Sequence, residues 1–382
     1  MTTHSPTIGI IGGGQLARMM IEAATPLDLD IRLLAASPDD GAARIWPRTT
    51  IGSPDDPIAV ATFAAACDVI TFDHELVPES VLIALEATNV RLAPSAQTLR
   101  IAQNKQKQRE LFAAYGLPQP RFQLATTLDA VQSAGADTGF PLILKAARGG
   151  YDGRGVWVIA APNDLMEVAQ GLLDQGIVVI IEELVAIERE LAVMVARDEQ
   201  GTTTVLPTVE TIQIDGICRQ ITYRADGDHA QATAIAHSVA DAVGLTGIMA
   251  VELFQTAAGL LINEIATRPH NSGHGTIEAL ACSQFAQHLR AVAGLPAGST
   301  SALAPGAVTV NILGGSDGSD PRDRLHLVRD GNVHVHLYGK VARAGRKLGH
   351  VTLIGDDLAD LSERAWHAVE QLTNEKRPEM GR

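Results

Sequence analysis

Cysteine is scarce: three in 382 residues, Cys67, Cys218 and Cys282, far apart and with no CxxC pair. A thiolate zinc centre, a thioredoxin-type motif and a disulfide framework are therefore not expected, which suits a reducing cytosol. Long apolar runs are also missing. None approaches the ~18 residues of a membrane span, and the start, MTTHSPTIGIIGGGQLARMM, lacks the basic and apolar regions of a secretory signal. Positive charge is in deficit, with 30 Lys and Arg against 44 Asp and Glu and a net charge of −14. A general nucleic-acid binder carries the opposite sign. Neither nucleic acid nor a membrane is an expected partner, and the expected location is cytoplasmic. An anionic ligand would need its positive charge locally, from a few side chains or a metal.

What is present is ordinary for a globular chain: 46% hydrophobic and 19% charged residues, enough for two or three domains. Up to residue 100, strand alternates with helix: Thr7–Ile11, Gln15–Ala24, Ile31–Ala35, Ile58–Ala66, Asp68–Phe72. That alternation predicts a parallel sheet covered on both faces. A long polar helical stretch follows at Ala96–Tyr115, stopped by Gly116 and LPQP. Beyond Pro141 come strand, glycine loop, strand, helix and strand. Antiparallel strands follow over Glu188–Ala225, then helices at Ala230–Val243, Gln284–Ala293 and near Leu358–Leu372, with strands HVHLYGKVA and GHVTLIG before the last. The expected division is 1–100, an N-terminal α/β domain; 101–184, a lid domain with a glycine-rich flap; and 185–382, a C-terminal domain with a metal site and a terminal β subdomain.

Five motifs carry chemistry. GIIGGGQLA fits G-x-G-x-x-A between strand and helix, which suits an anion at a helix N-terminus. A dinucleotide site also wants an acid ending the second strand, and LLAAS has none, so NAD is weakly supported. RGGYDGRG places four glycines among the seven residues Gly149–Gly155 between two apolar strands. It reads as a hairpin flap whose N–H groups can turn toward an anion, with Lys145 beneath it. Glu252 in IMAVELF and Glu264 in LLINEIATR are symmetric about residue 258, in a plausible hairpin turn. A turn centred there puts the two carboxylates opposite one another, Cβ atoms about 4.5–5.5 Å apart. Like charges so placed call for a cation, and Mg²⁺ uses such carboxylates together with phosphate oxygens and water. TRPHNSGH then crowds Arg268, His270, Asn271 and His274 into one loop, suited to a small oxyanion. YGKVARAGRKLGH holds Lys340, Arg346 and Lys347, a candidate phosphate clamp.

Together these residues resemble the ATP-grasp superfamily. GIIGGGQLARM, QNKQKQRELF, GGYDGRG, LLINEIATRPHNSGH and YGKVARAGRKLGHVT resemble, within it, the N5-carboxyaminoimidazole ribonucleotide synthases, over about residues 8–355. The resemblance implies an α/β and α+β multidomain chain, with an ATP-grasp fold behind an N-terminal parallel-sheet domain. It implies a cytoplasmic homodimer that uses ATP and Mg²⁺ to carboxylate 5-aminoimidazole ribonucleotide (AIR) with bicarbonate through carboxyphosphate.

By that resemblance Arg100 and Lys145 hold ATP phosphates under Gly150, Tyr151, Asp152, Gly153, Arg154, Gly155 and Val156. Glu182, Glu183, Leu184 and Val185 meet the adenine, Glu190 the ribose, and Asn263 the nucleotide beside Glu264. Glu252 and Glu264 bind Mg²⁺. Lys145, Arg268, His270 and Asn271 form the catalytic set, the last three facing bicarbonate. AIR is met by Gln15, Leu16, Glu75, Tyr151, Asp152 and Arg154, and its phosphate by Lys340, Arg346 and Lys347. Two positions depart from the family pattern: Gln213 stands for a histidine, and Leu76 for an asparagine in TFDHELVP. The competing readings are a formate-using glycinamide ribonucleotide transformylase, a biotin carboxylase, a non-catalytic nucleotide binder and, on GIIGGGQLA alone, an NAD-dependent oxidoreductase.

Overall fold

The apolar runs of the first hundred residues become strands β1 (Ile8–Ile11), β2 (Ile31–Ala35), β3 (Thr49–Ile51), β4 (Val69–Phe72) and β5 (Arg91–Leu92). In this computed structural model, which describes residues 5–149, 155–227 and 229–378, they form one parallel sheet in the order β3-β2-β1-β4-β5. Every residue of β1 and β4 is buried, as a sheet covered on both faces demands. Side chains alternate between two cores. Ile8, Ile10, Ile31 and Leu33 pack on α1 (Gln15–Ala24). Ile11, Leu34, Ile70 and Phe72 pack against α2 (Pro57–Ala64), α3 (Glu79–Glu86) and α4 (Ala96–Ala102).

The expected long helix over Ala96–Tyr115 is two helices, α4 and α5 (Lys105–Ala114). Asn104 makes the break. Its extended backbone lets the side-chain oxygen accept from the N–H groups of Gln106 and Lys107 at 2.9 and 3.3 Å, the usual asparagine cap. The break also moves the unit boundary. Phe112 is fully buried in the core of the large sheet described below, so α5 packs there and not with the lid where residues 101–184 were expected together.

The lid proper is the antiparallel sheet β6 (Phe122–Ala125), β7 (Leu142–Ala146), β8 (Val156–Ile159) and β9 (Val179–Glu183), in the order β6-β9-β7-β8. It packs on α6 (Leu128–Thr138) and α7 (Pro162–Leu173). Lys145 pairs with Val156 across β7 and β8, so the glycine segment joins a hairpin, as its flanking strands predict.

The remaining strands are β10 (Arg189–Arg197), β11 (Thr203–Val205), β12 (Val209–Ile214), β13 (Ile217–Arg224), β14 (Gly247–Thr256), β15 (Gly259–Ala266), β16 (Gly306–Leu313), β17 (His334–Leu337) and β18 (Lys347–Gly355). They form a sheet ordered β15-β14-β10-β12-β13-β16-β18-β17, with β11 paired to β10. Of the expected strand HVHLYGKVA only His334–Leu337 is strand, since Gly339 turns the chain at φ 70°. Helix α8 (Ala230–Ala242) covers one end of this sheet and α11 (Leu358–Thr373) the other. Between them lie α9 (Thr276–Ala279) and α10 (Gln284–Ala293).

Helix α10 belongs to the large sheet by sequence, yet Phe285, Leu289 and Val292 complete the core of the first sheet. Burial of such side chains is worth about 1.5–3 kcal/mol each, so the two units share one interior. His288 is the polar strut inside it. Its Nδ1 accepts from the N–H of Ile248 at 3.1 Å, which leaves Nε2–H to donate to Thr71 Oγ1 at 2.8 Å. Burial pushes its pKa from 6.5 down to about 3.

Below pH 6.5 the unfolded chain therefore takes up a proton here that the folded chain refuses. This group alone lowers stability as pH falls from about 6.5 to about 3, by at most ~1.4 kcal/mol per pH unit. His288→Gln should be less stable than the parent at pH 7 but lose less stability between pH 6.5 and 4. Urea midpoints across that range measure this; parallel curves would contradict it.

Candidate active site

The site begins at the hairpin of β14 and β15. Thr256 pairs with Gly259, so the turn is centred between Ala257 and Ala258, half a residue before the expected 258. That register would put Asn263 opposite Glu252. A bulge between Glu252 and Leu253 shifts the pairing by one residue, and Glu252 faces Glu264 after all. The expected juxtaposition holds, but the extra residue in β15 produces it. Glu190 shares the face, since Ala192 pairs with Glu252 and Glu190 with Phe254. Burial raises the pKa of Glu190, and neighbouring Glu252 adds to this, while Gln213 hydrogen-bonds its carboxyl. Gln213 thus meets the residue expected on the ribose. Burial also raises the pKa of Glu252, against Lys105, Arg268 and a hydrogen bond from Asn263.

The cations come from other elements. Lys145, on β7, is buried with Nζ 2.8 Å from Glu182 and 3.1 Å from Asn263 Oδ1. Glu182 also takes Arg109 Nε at 2.6 Å, and Arg109 Nη1 donates to Ile262 O at 3.1 Å. Burial would raise the pKa of Glu182, but Lys145 and Arg109 reverse this and hold it low. The Glu182 side chain is therefore consumed inside the protein, and adenine contact from this residue falls to its backbone. Glu183 is paired with Arg121 at 2.7 Å. Leu184 is exposed and Val185 half-exposed, leaving apolar surface at the strand end.

Sequence reading missed Lys105 and chose Arg100. The Arg100 guanidinium is shared by Glu79 and Glu86 at 2.8 Å each. Lys105, the first residue after the Asn104 cap, instead contacts Glu264. Burial and nearby Lys145 push its pKa to about 8. The signal was Asn104 itself, a cap hidden in a polar helical run.

The loop after β15 supplies the rest. Arg268 Nε lies 3.5 Å from Glu75 Oε1, on the first unit. His270 Nε2 lies 3.3 Å from Glu252 Oε1, while its Nδ1 accepts from Ser272 N–H. Burial, helped by Arg268 and Lys347, keeps that imidazole neutral. Asn271 Nδ2 is buried with only the Cys218 thiol beside it, a donor that a ligand can take up. Lys347 is near enough to act on His270 and His274. Arg346, its neighbour in the chain, donates to Val341 O at 3.0 Å and lies near Asp40.

The glycine turn before α1 holds an anion already, and it is internal. Asp73 Oδ2 accepts the N–H of Gly14 at 2.6 Å. A Cβ on Gly12, at φ 107°, would sit 1.8 Å from Asp73 Oδ1. Asp73 occupies the place of a pyrophosphate, which removes the NAD reading. Burial raises the pKa of Asp73 against His74, the Gly14 N–H, Arg268 and Lys340. Sequence reading passed over Asp73. Gln15 is half-buried, but the side chain of Leu16 is buried in the core, so only its backbone can meet a substrate. Gly155 and exposed Val156 flank the flap; Gly150, Tyr151, Asp152, Gly153 and Arg154 lie outside the described residues.

Among the described residues no three acid, histidine or cysteine side chains converge as a metal cage. Glu252 and Glu264 fit Mg²⁺ only as partial ligands, with phosphate oxygens and water completing the shell, which is how that ion is commonly held.

Comparison with known proteins places the chain among characterised families. Residues 5–103 match the ribonucleotide synthetase preATP-grasp domain, 110–285 the ATP-grasp domain, and 307–364 the phosphoribosylaminoimidazole carboxylase C-terminal domain. The N5-carboxyaminoimidazole ribonucleotide synthase of Mycobacterium tuberculosis is 42% identical over 379 residues, 97% of this chain and 88% of that one. Its counterpart from Synechococcus elongatus is 39% identical, over 91% and 89%. The crystal structure of the Aspergillus clavatus N5-carboxyaminoimidazole synthase with ADP and 5-aminoimidazole ribonucleotide is 30% identical. It superposes with a TM-score of 0.86 over 97% of this chain and 99% of that one.

Glu182→Gln should cost about 3–5 kcal/mol, because it leaves two cations buried with one uncharged partner. Glu264→Gln should leave folding almost unchanged, since Glu264 is more exposed. Urea denaturation without nucleotide separates the two. Equal losses would mean that Glu182 is not the internal anchor.

Proposed function

The chain belongs to the N5-carboxyaminoimidazole ribonucleotide synthase family of ATP-grasp enzymes, and from that premise we propose how its own residues carry out the reaction. The reaction is the ATP-dependent carboxylation of aminoimidazole ribonucleotide in purine biosynthesis, a ligation that forms a C–N bond.

One observation carries the residue assignment. Arg268 lies within 3.5 Å of Glu75 from the first unit and acts on Glu252 from the hairpin. The nucleotide side and the ribonucleotide side therefore open on one cleft. ATP lies with its phosphates on Lys145 and Lys105. Its adenine is at the end of β9, along Glu183–Val185, and its ribose is on Glu190 and Gln213. Asn263 positions Lys145 beside the phosphates. Glu252 and Glu264 hold Mg²⁺, which, when bound, neutralises charge on the transferring phosphoryl group.

A bicarbonate oxygen attacks the γ-phosphorus and ADP leaves, giving carboxyphosphate. The exocyclic amine of AIR then attacks the carboxyl carbon, directly or as released CO₂. The C–N bond forms, phosphate departs and the amine gives up a proton. Arg268 and Asn271 Nδ2 face the growing negative charge. His270, protonated on Nε2, orients the Glu252 carboxylate. Glu75, Gln15, the Leu16 backbone, Tyr151, Asp152 and Arg154 surround AIR, and Lys340 meets its phosphate. Lys347 takes the bicarbonate side, and Arg346 braces the turn.

Closure of the flap Gly149–Gly155 excludes water from the anhydride. The working units are the first sheet, a flap-bearing lid and the large sheet. The assembly proposed is a cytoplasmic homodimer that engages neither nucleic acid nor membrane. The net charge of −14 supports the former exclusion. That no described helix is long and apolar enough to cross a membrane supports the latter.

Phosphate release tests the assignment. It should require ATP, bicarbonate and Mg²⁺, rise with AIR, and leave nicotinamide absorbance unchanged. Lys105→Ala and Glu252→Gln should each lower turnover by about two orders of magnitude. Arg100→Ala should retain near-parent turnover and lose only surface ion pairs, worth about 0–1 kcal/mol each. The opposite ranking of Lys105 and Arg100 would refute the phosphate assignment.

A further inference from the structure

The reaction as assigned uses neither His274, His350 nor Tyr338, yet these side chains form a buried chain between the two halves of the cleft. Tyr338 closes β17 and is followed by Gly339 and Lys340. Its hydroxyl lies 2.8 Å from His350 Nδ1, and Lys340 Nζ lies 5.7 Å over its ring. The His350 ring stacks on His274 at 4.9 Å and on His336 at 4.5 Å. His274 ends the Arg268–His274 loop, and its Nδ1 is 3.1 Å from Gln284 Nε2. Gln284 then grips His270 from both sides. Its Oε1 accepts the His270 N–H at 2.9 Å, and its Nε2 donates to His270 O at 2.7 Å. Tyr338, His350, His274 and Gln284 are each at most 2% exposed.

Two features set this chain apart from ordinary core packing. The Tyr338 hydroxyl pairs with His350 Nδ1, and in either tautomer the other ring nitrogen, Nε2, is buried without a partner. An orphaned buried polar atom is costly, and a phenylalanine of similar shape would avoid it. Burial also drives the pKa of His274 to about 3 and that of His350 far below its usual value. His274 and His350 are therefore neutral spacers among Lys340, Lys347 and Arg268. They add hydrogen-bonded geometry without adding charge.

We propose that the Tyr338–His350–His274–Gln284 chain is a positioning device. It fixes Lys340, on the ribonucleotide side, relative to the Arg268–His270 loop, on the bicarbonate side. The amine of AIR and the activated carboxyl carbon are thereby presented to each other. Tyr338 and His350 act through Lys340 and the loop and touch no reacting atom. The proposal rests on the reading of Lys340 and Arg268 given above.

The test compares Tyr338→Phe, His350→Phe, their double and His350→Gln, with Lys340→Ala as reference. AIR is titrated while phosphate and carboxylated product are measured together, and each variant is melted. Both single Phe variants should raise the KM for AIR about tenfold, a loss of about 1.4 kcal/mol, with the KM for ATP unchanged. They should also release phosphate in excess of product, because carboxyphosphate is lost when the amine is misplaced. His350→Gln, which restores an acceptor for the Tyr338 hydroxyl, should recover part of the KM. The double Phe variant, free of orphaned polar atoms, should melt near the parent temperature and still show the raised KM.

A double variant with parent KM and one phosphate per product would overturn the proposal. So would an effect of Tyr338→Phe that is undiminished in the Lys340→Ala background, since it could not then act through Lys340. If Lys340→Ala leaves the KM for AIR unchanged, the reading of Lys340 fails and the proposal falls with it. If Lys340→Ala raises that KM while Tyr338→Phe and His350→Phe do not, the reading stands and the proposal alone is overturned.

Discussion

A carboxylate with almost no water around it, Glu182, lies between Arg109 and Lys145. Two units meet there. Glu182 ends a strand of the lid, Lys145 stands on the neighbouring lid strand, and Arg109 comes from α5, which packs on the large sheet and also donates to its Ile262 carbonyl. Isolated, each of these charges would be too expensive to bury. Together they hold the cationic wall of the nucleotide site in register with the carboxylates on the facing hairpin. Asn263 closes the circuit, bonding Lys145 on one side and Glu252 on the other.

The first sheet uses a related device at its glycine turn. The N–H groups of a tight strand–helix turn attract an anion, and here the chain meets that demand from inside with Asp73. The turn keeps the backbone of a nucleotide-binding loop but presents an acidic face, directed at Arg268 and Lys340. The first unit therefore contributes to the cleft by countering cations of the large sheet. Its own core is finished by α10 of that sheet, which keeps the two faces of the cleft from being independent.

Much of this was legible in the sequence because it depends on local pattern. Alternating apolar runs located three of the five parallel strands, β1, β2 and β4, while the short β3 and β5 carry too few apolar residues to stand out; Gln15–Ala24 and Gln284–Ala293 were read to the residue. The pairing of Glu252 with Glu264 was legible from symmetry, although a half-residue error in the turn and the bulge cancelled. What escaped depended on direction more than pattern. The run Ala96–Tyr115 is helical on both sides of Asn104, so periodicity hid a break that brings Lys105 to Glu264. Glu182 was assigned to a ligand because the chain gives no sign that Arg109, 73 residues away, is its partner. Asp73 was missed because the carboxylate and its Gly14 partner lie 59 residues apart.

The single extra residue in β15 has a consequence for how such chains can be aligned and redesigned. Between the turn and the bulge, pairing follows one register, and beyond the bulge it follows another. An insertion or deletion of a matched pair in the turn slides both strands together and preserves the meeting of the two acids. Loss of one residue of β15 between Gly259 and Ile262, with the bulge kept, does not. It passes every later side chain of that strand to the opposite face, carrying an acid out of the cleft and an aliphatic side chain into it. Homologous hairpins should therefore be aligned from the bulge outward, and turn length can drift in a lineage while the count of residues between Ile262 and Glu264 stays fixed.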